Sequence, residues 1–444
     1  MFMRPFTSQE PRSPGRALQV VSVFRVRLLC GPKRAHEMSS KRMKERAKPS
    51  LGLRQYAAIL AGVLSLLACP DVQAQDADDT EDRVTLQVRP RTEWRDGYKR
   101  LRQPGEAGEL LTMQRTRLTW HHGTEKWEVR LGFQDVRTFG DMAGNTPTYG
   151  ALAATESWGA WKPNAKTRIT VGRQRIAFDN ERIVGAVNWS QYGRFLDGFR
   201  WDQTTALGTT TAALTWDAPA GLTRIMGYHV YTSDRHRLSF LYFDQKNSLD
   251  PTASVLTSGA TWTGKAKNEA VSWVVEAYAQ EQRNDQPTSL MGVAELHGAF
   301  GNLGKALVAL DWLEGDARGR AFHPFLGTNH RHYGWMDHFY VGLPANGMAD
   351  ARIHWTKPFG KAAWKAHWDV RYHRFYSSSF ENLYANEVDA VVVFKPTDFV
   401  QASFGWSVMR ATEAMYASQN RAALANAWQQ WGWIAVNFSP SILL

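Results

Sequence analysis

The chain has 444 residues but only two cysteines, Cys30 and Cys69, and both lie in its first 74 residues. The other 370 positions hold none, which excludes a disulfide framework, a cysteine nucleophile and cysteine-ligated zinc from that part. After Cys69 no apolar run approaches the roughly 20 residues that a membrane-spanning helix needs, so a helical membrane protein is excluded and a barrel is not. There is no Gly-x-Ser-x-Gly elbow, no Walker loop and no dinucleotide fingerprint. The excess of positive charge is also local. Of 53 Lys/Arg and 42 Asp/Glu, residues 1–74 hold 13 and 4, leaving 40 basic and 38 acidic residues beyond them. A nucleic-acid partner therefore loses its electrostatic basis.

Tyr56 to Ala68 reads YAAILAGVLSLLA, an apolar core of signal-peptide length. Lys44, Arg46, Lys48 and Arg54 precede it, and Val72-Gln73-Ala74 comes after it with small residues at the −3 and −1 positions of a cleavage site. The expected organisation is an extension over residues 1–42 ahead of a start at Met43. A secretory signal peptide then covers 43–74, and residues 75–444 form a single exported domain. The acidic run from Asp76 to Asp82 reads as a solvated tail.

Aromatics make up 12% of the chain, with 19 tryptophans, and they alternate. Val84, Leu86, Val88 and Trp94 share one side of their segment, while Thr85, Gln87, Arg89, Arg91 and Glu93 share the other. Trp127, Val129, Leu131 and Phe133 oppose Glu128, Arg130 and Gln134. Trp364, Ala366, Trp368, Val370 and Tyr372 oppose Lys365, His367, Asp369, Arg371 and His373. Val400, Ala402, Phe404, Trp406 and Val408 oppose Gln401, Ser403, Gly405 and Ser407. A period of two along strands of about nine to eleven residues, separated by Gly/Asn/Asp/Pro turns, predicts one continuous antiparallel sheet.

Alternation alone does not say which face is inside. A soluble sandwich buries the apolar face, whereas an outer-membrane barrel shows it to lipid and lines a lumen with the polar one. Three features favour the barrel. Charges are dense on the polar face of consecutive segments: Arg115 and Arg117, then Glu128 and Arg130. Trp94, Trp120, Trp201, Trp216 and Trp262 mark segment ends, where interfacial girdles lie. At roughly 20 residues per strand and connection, the domain yields about 18 strands, a porin-sized cylinder without open edges.

The most distinctive passage is Gly172 to Trp201, GRQRIAFDNERIVGAVNWSQYGRFLDGFRW. Gly172-Arg173-Gln174, then Arg182-Ile183-Val184-Gly185, Trp189 and Arg194-Phe195-Leu196-Asp197-Gly198-Phe199-Arg200 resemble, in order, the motifs of the alginate export family of outer-membrane porins. Phe133-Gln134-Asp135 through Gly140-Asp141 is similar to that family's Gln-Asp strand end. Gly315-Asp316, Phe322, Pro324, Asn329-His330 and Tyr333 to Asp337 are similar to its Gly-Asp…Tyr-Gly-x-Met-Asp stretch. The resemblance runs from about residue 84 to 438 and implies an 18-stranded transmembrane barrel.

Pore-lining and selectivity candidates are Arg173, Arg182, Arg194, Asp197, Arg200, Arg130, Arg115 and Arg117. Their guanidinium groups either attract carboxylates of an anionic solute or pair with neighbouring acids and hold an inward loop; both readings stand. His323, His330, His332 and His338 match no zinc spacing and read as a loop folded over or into the pore. No metal, cofactor or catalytic set is expected. Gly432, Ile434, Val436 and Phe438 resemble the last-strand signal of the barrel-assembly machinery, although six residues come after Phe438.

The expectation is a passive channel in the outer membrane of a Gram-negative cell, not an enzyme. Its solutes would be anionic or neutral oligosaccharides or small organic molecules. Its partners would be outer-membrane lipid, a polysaccharide or small-solute substrate, and the assembly machinery, with no nucleic acid. The alternatives are an envelope barrel enzyme acting on lipid or polysaccharide, and a soluble carbohydrate-binding sandwich.

Overall fold

Period-two segments need partners on both edges, because every strand N–H and C=O must be satisfied where there is no water. The computed structural model meets that demand by closure. It describes residues 81–140, 152–282, 287–316, 321–339, 343–361, 364–423 and 428–443. The extension and the signal peptide expected over residues 1–42 and 43–74 lie outside the described residues.

The strands are β1 (Glu81–Asp96), β2 (Glu109–Gly123), β3 (Trp127–Thr138), β4 (Ala153–Asn164), β5 (Thr167–Gln174), β6 (Leu196–Thr205), β7 (Gly208–Asp217), β8 (Leu222–Thr232), β9 (His236–Asn247) and β10 (Val255–Lys265). They continue as β11 (Val271–Gln282), β12 (Ser289–Ala299), β13 (Lys305–Leu313), β14 (Met348–Phe359), β15 (Ala366–Tyr376), β16 (Leu383–Thr397), β17 (Val400–Ala411), β18 (Trp428–Phe438) and the short β19 (Ser441–Leu443). Each pairs antiparallel with its sequence neighbour, and β18 and β19 both close on β1, with Trp94 opposite Gly432 and Val84 opposite Ile442. β19 resumes the last strand after Ser439-Pro440, so the barrel has 18 strands. The residues after Phe438 thus lengthen the closing seam rather than displace its register.

One end carries eight connections of two to six residues, together with both ends of the barrel chain. The other end carries nine, including the long segments 97–108, 175–195, 314–347 and 412–427, the last holding the one-turn helix α1 (Glu413–Ser418).

Strand parity decides the faces. Leu118, Phe133, Val171, Phe240, Leu296, Ile353, Phe404 and Ile434 are all exposed on the outer wall. Trp368 and Trp406 share that wall, lining a shallow apolar groove with Val370, Val392 and Phe404. A soluble sandwich is thereby excluded: these side chains would be its core, and they are on the outside. Against hydrocarbon each is stabilised by removal from water, at about 25 cal/mol per Å². The inward parity carries the charges instead, including Arg115, Glu276, Asp311, Asp350 and Asp389, all buried within the barrel.

Candidate functional site

Three of the long loops fold into the barrel. Segment 175–195 lies across the lumen, because its side chains reach inward groups on both sides. At its start Asp179 accepts hydrogen bonds from Arg237 Nη1 at 2.5 Å, Ser239 Oγ at 2.8 Å and Tyr228 Oη at 2.9 Å, on β8 and β9. Arg182 then enters the wall of β11 to β13. Its Nε lies 3.0 Å from Glu276 and its Nη2 2.5 Å from Glu295, while Nη1 contacts Asp311. The far end of the loop reaches β1 and β2: Arg89 donates to Ser190 O at 2.8 Å, Arg91 to Trp189 O at 2.9 Å and Arg115 to Ser190 O at 3.2 Å.

That path forces the backbone. Asp179, Glu181 and Val187 hold φ values of 49°, 70° and 50°, which cost an L-residue roughly 1–2 kcal/mol each. The strain persists because anchors over-determine it. The Asp179 carboxylate is held threefold, and Glu181 accepts from Thr328 Oγ1 at 2.5 Å and from Ala186 N at 3.0 Å.

The second inward segment, 321–339, binds the first along a parallel bridge between Val184 and Leu326. Gly185 N donates to Leu326 O at 2.8 Å and Thr328 N to Glu181 O at 2.8 Å. Arg194 closes the joint, donating to Gly185 O at 3.0 Å and also to Leu326 O. On the far wall, Met336 N donates to Glu387 at 2.9 Å and Trp335 N to Asp389 at 3.2 Å. Segment 97–108 joins through Lys99 N to Met336 O at 2.9 Å and Tyr98 Oη to Asp337 at 2.7 Å.

An aromatic stack fills the joint. Trp431 and Trp433, inward on β18, lie with ring centroids 4.2 Å apart. Trp189 and Trp335 meet Trp433 edge-on at 5.3 and 5.2 Å, and His330 stacks on Trp189 at 4.9 Å. Arg91 lies over Trp189 and Arg371 over Trp335, each at 4.6 Å. Gly405 makes this possible, since a Cβ there would lie 2.0 Å from the Trp433 ring.

His330, His332 and His338 are buried where the inward segments meet. Burial, reinforced by Arg182 and Arg352, holds His332 well below the usual imidazole value. Burial lowers His338 to about 4, against the pull of its hydrogen bond to Gly97 O. Tyr98 is pushed up, by burial first and then by Asp337.

The lumen walls differ in sign. From β11 to β16 the inward carboxylates are Glu276, Glu295, Asp311, Asp350, Asp369, Glu387 and Asp389, all buried or nearly so. Arg182, Arg352, Arg371 and His373 meet them, with Arg352 2.5 Å from Glu295 and 2.8 Å from Asp311, Arg371 3.1 Å from Asp369, and His373 2.8 Å from Asp350. On β1 to β5 the balance reverses. Arg130, Lys162, Arg168 and Arg175 share two carboxylates, Glu128 and Glu156. Arg89, Arg115 and Arg117 meet neutral acceptors, Gln191, Gln87 and Gln134, and among the described residues none has a carboxylate within 4 Å.

The sequence-predicted residues divide accordingly. Arg115, Arg117 and Arg130 face the lumen on the basic wall. Arg200 also faces it, bound to Asp202 at 2.8 Å. Arg182 and Arg194 fasten the crossing loop, the loop-holding reading of their charge. Arg173 and Asp197 are a correction. They pair with each other at 2.7 Å on the outer wall, because residue 173 shares parity with Ile169 and Val171 and residue 197 with Phe199 and Trp201. For Arg115 and Arg117 the reading in which they pair with neighbouring acids is not the one seen, since their side chains meet Gln87 and Gln134. Sequence reasoning missed Trp431 and Trp433, although they flank Gly432 and alternate with Gly432, Ile434 and Val436, so they must face away from the apolar side. It also missed the acidic wall, since single carboxylates on separate strands carry no local motif.

No family model matches the sequence, and no curated protein matches it. The resemblance to the alginate export family therefore finds no support at the level of sequence. The fold is similar to solved structures of outer-membrane porins. Pseudomonas aeruginosa OccK11 (OpdR) aligns over 84% of this chain and 99% of its own, with 10% identity and a TM-score of 0.59. Acinetobacter baumannii OccAB2 aligns over 82% and 98%, with 10% identity and a TM-score of 0.59. P. aeruginosa OpdK, solved with vanillate, aligns over 81% and 99%, with 11% identity and a TM-score of 0.58. At these identities the likeness speaks for the barrel.

Proposed function

We propose that this chain is a passive outer-membrane channel for small organic solutes carrying negative charge, reached from the cytoplasm by way of the 43–74 leader. The observation that carries the reading is the unequal lumen. Arginines on β1 to β5 outnumber their carboxylates, and they face a wall in which buried acids outnumber cations. Such a transverse field orients a carboxylate-bearing solute and replaces part of its hydration with guanidinium donors. No chemistry on the solute is required, only a polar path through hydrocarbon.

The crossing loop favours small molecules over a polymer. A polyuronate such as alginate shares the carboxylate chemistry but would have to thread past segments 175–195 and 321–339. Vanillate, bound in the OpdK structure, is a carboxylate of suitable size to probe first. The Phe438 seam supports assembly by the barrel machinery.

The test is conductance in planar bilayers under a salt gradient. Anion selectivity is expected, with the reversal potential moving toward cation selectivity in Arg130→Gln/Arg168→Gln. Correctly folded protein without conductance, or a potential unmoved by the double substitution, would overturn the proposal.

A further inference from the structure

A wall that faces hydrocarbon should carry few charges, and those it carries should be paired or near the interface. At the long-loop rim most outward charges are paired: Arg137 lies 2.5 Å from Asp135 and Arg173 2.7 Å from Asp197. One sector departs from this. Arg374, Asn386 and Arg410 face outward at directly opposed register positions on β15, β16 and β17. Both arginines are exposed, and among the described residues neither has a carboxylate within 4 Å.

Each guanidinium is propped on a ring. Arg374 lies 5.4 Å from the centre of Tyr376 and Arg410 5.8 Å from that of Trp428. Tyr372 donates to Oδ1 of Asn386 at 2.7 Å, so the carboxamide N–H groups remain as donors between the two arginines. Adjacent strands are about 4.8 Å apart, which sets the two arginine backbones about 10 Å from each other, within joint reach of one headgroup. Deeper on the same face lie Val370, Val388, Val392 and Trp406, an apolar wall.

The geometry points to a lateral binding site for the phosphorylated headgroup of an outer-leaflet glycolipid. Two forked donors with an amide between them suit phosphate oxygens, and the valines below suit the acyl chains. A free phosphate in solution has no use for that second surface. The inference rests on the outer-membrane placement proposed above, with the long loops outward.

The test uses the full barrel in detergent and native mass spectrometry. The probes are bisphosphorylated lipid A, the same lipid with both phosphates removed, and inorganic phosphate alone. Preference for the phosphorylated lipid is expected, falling about tenfold for each arginine lost and vanishing in Arg374→Gln/Arg410→Gln. Arg173→Gln, which removes a paired arginine from another sector, keeps the preference. The double variant keeps wild-type conductance, which shows that it has folded.

Equal binding of both lipids overturns the site, as does preference retained in the double variant or lost equally in Arg173→Gln. Inorganic phosphate bound as tightly as the lipid overturns it too, and so does a double variant that changes only oligomeric state. Absence of conductance with lipid preference intact would instead remove the channel reading and leave this site standing.

Discussion

Acid should undock the inward loops, and the size of the effect is set by His338. Its imidazole is buried, donates through Nε2 to Gly97 O at 2.9 Å and titrates near 4 rather than 6.5. Gln419, Asp337 and Arg421 are its other polar neighbours. Below 6.5 the undocked loop takes up a proton that the docked loop resists, so undocking is favoured as pH falls and docking is strongest above that value. Between pH 7 and pH 5 this single group weakens docking by about 2 kcal/mol, a shift of roughly twentyfold or more in the docked-to-undocked ratio. His332 adds in the same direction: burial and the cations Arg182, Arg352 and Arg331 lower it, against its hydrogen bond to Asn180 O at 2.9 Å. Single-channel recording from pH 7.5 to pH 4.5 should show a rising frequency of a distinct, altered conductance level. His332→Gln/His338→Gln keeps an N–H donor at each site but cannot titrate, and it should flatten that pH dependence. If the double variant responds to acid as the wild type does, the histidines do not control the loops.

Three other substitutions probe the loop anchor, the aromatic joint and the outer wall. Arg182→Met leaves Glu276, Glu295 and Asp311 without their shared cation, and loop docking should weaken by about 3–5 kcal/mol, seen as new protease cleavage within 175–195. Gly405→Ala puts a methyl group into the Trp433 ring and should cost about 1–3 kcal/mol of refolding stability in urea titration. Phe404→Arg, one residue away and outward, should cost about 2–4 kcal/mol in lipid bilayers while leaving ion selectivity unchanged.

The barrel was legible in the sequence because its signal is local and repeated. Val84 to Trp94, Trp127 to Phe133 and Val400 to Val408 each state the period within one strand, and closure is implied by the number of such strands. The functional interior was less legible. Arg182 looked like one of several arginines near a strand pair. Its three acids stand at 276, 295 and 311, on strands that meet it only after a loop of 21 residues crosses the lumen. Arg173 misled because its motif suggested a pore position, whereas counting by twos from Val171 places it outside. The histidine-rich stretch reads as a loop folded over or into the pore because it lacks ligand spacing, and of the two placements it takes the inward one. The burial that lowers His332 and His338 was not accessible, since it depends on packing against segments remote in sequence.

The two kinds of charge in this lumen answer different physical requirements, and that separates structure from function within one site. Arg182 and Arg352 sit among acids that bury them, so removing either partner exposes an uncompensated charge and the loop comes loose. Arg89, Arg115 and Arg117 are held by amides and carbonyls, which orient a guanidinium without neutralising it. A lumen that needed only mechanical support would gain by placing a carboxylate at Gln87 or Gln134. Gln134→Glu therefore makes a discriminating change. It adds an ion pair with Arg117, whose Nη2 already lies 2.7 Å from the Gln134 oxygen, so the barrel should fold at least as stably. Anion selectivity should nonetheless fall, because the field that draws a carboxylate across the lumen has been cancelled at its source. A stable Gln134→Glu barrel with unchanged selectivity would show that these arginines are merely fastened to the wall.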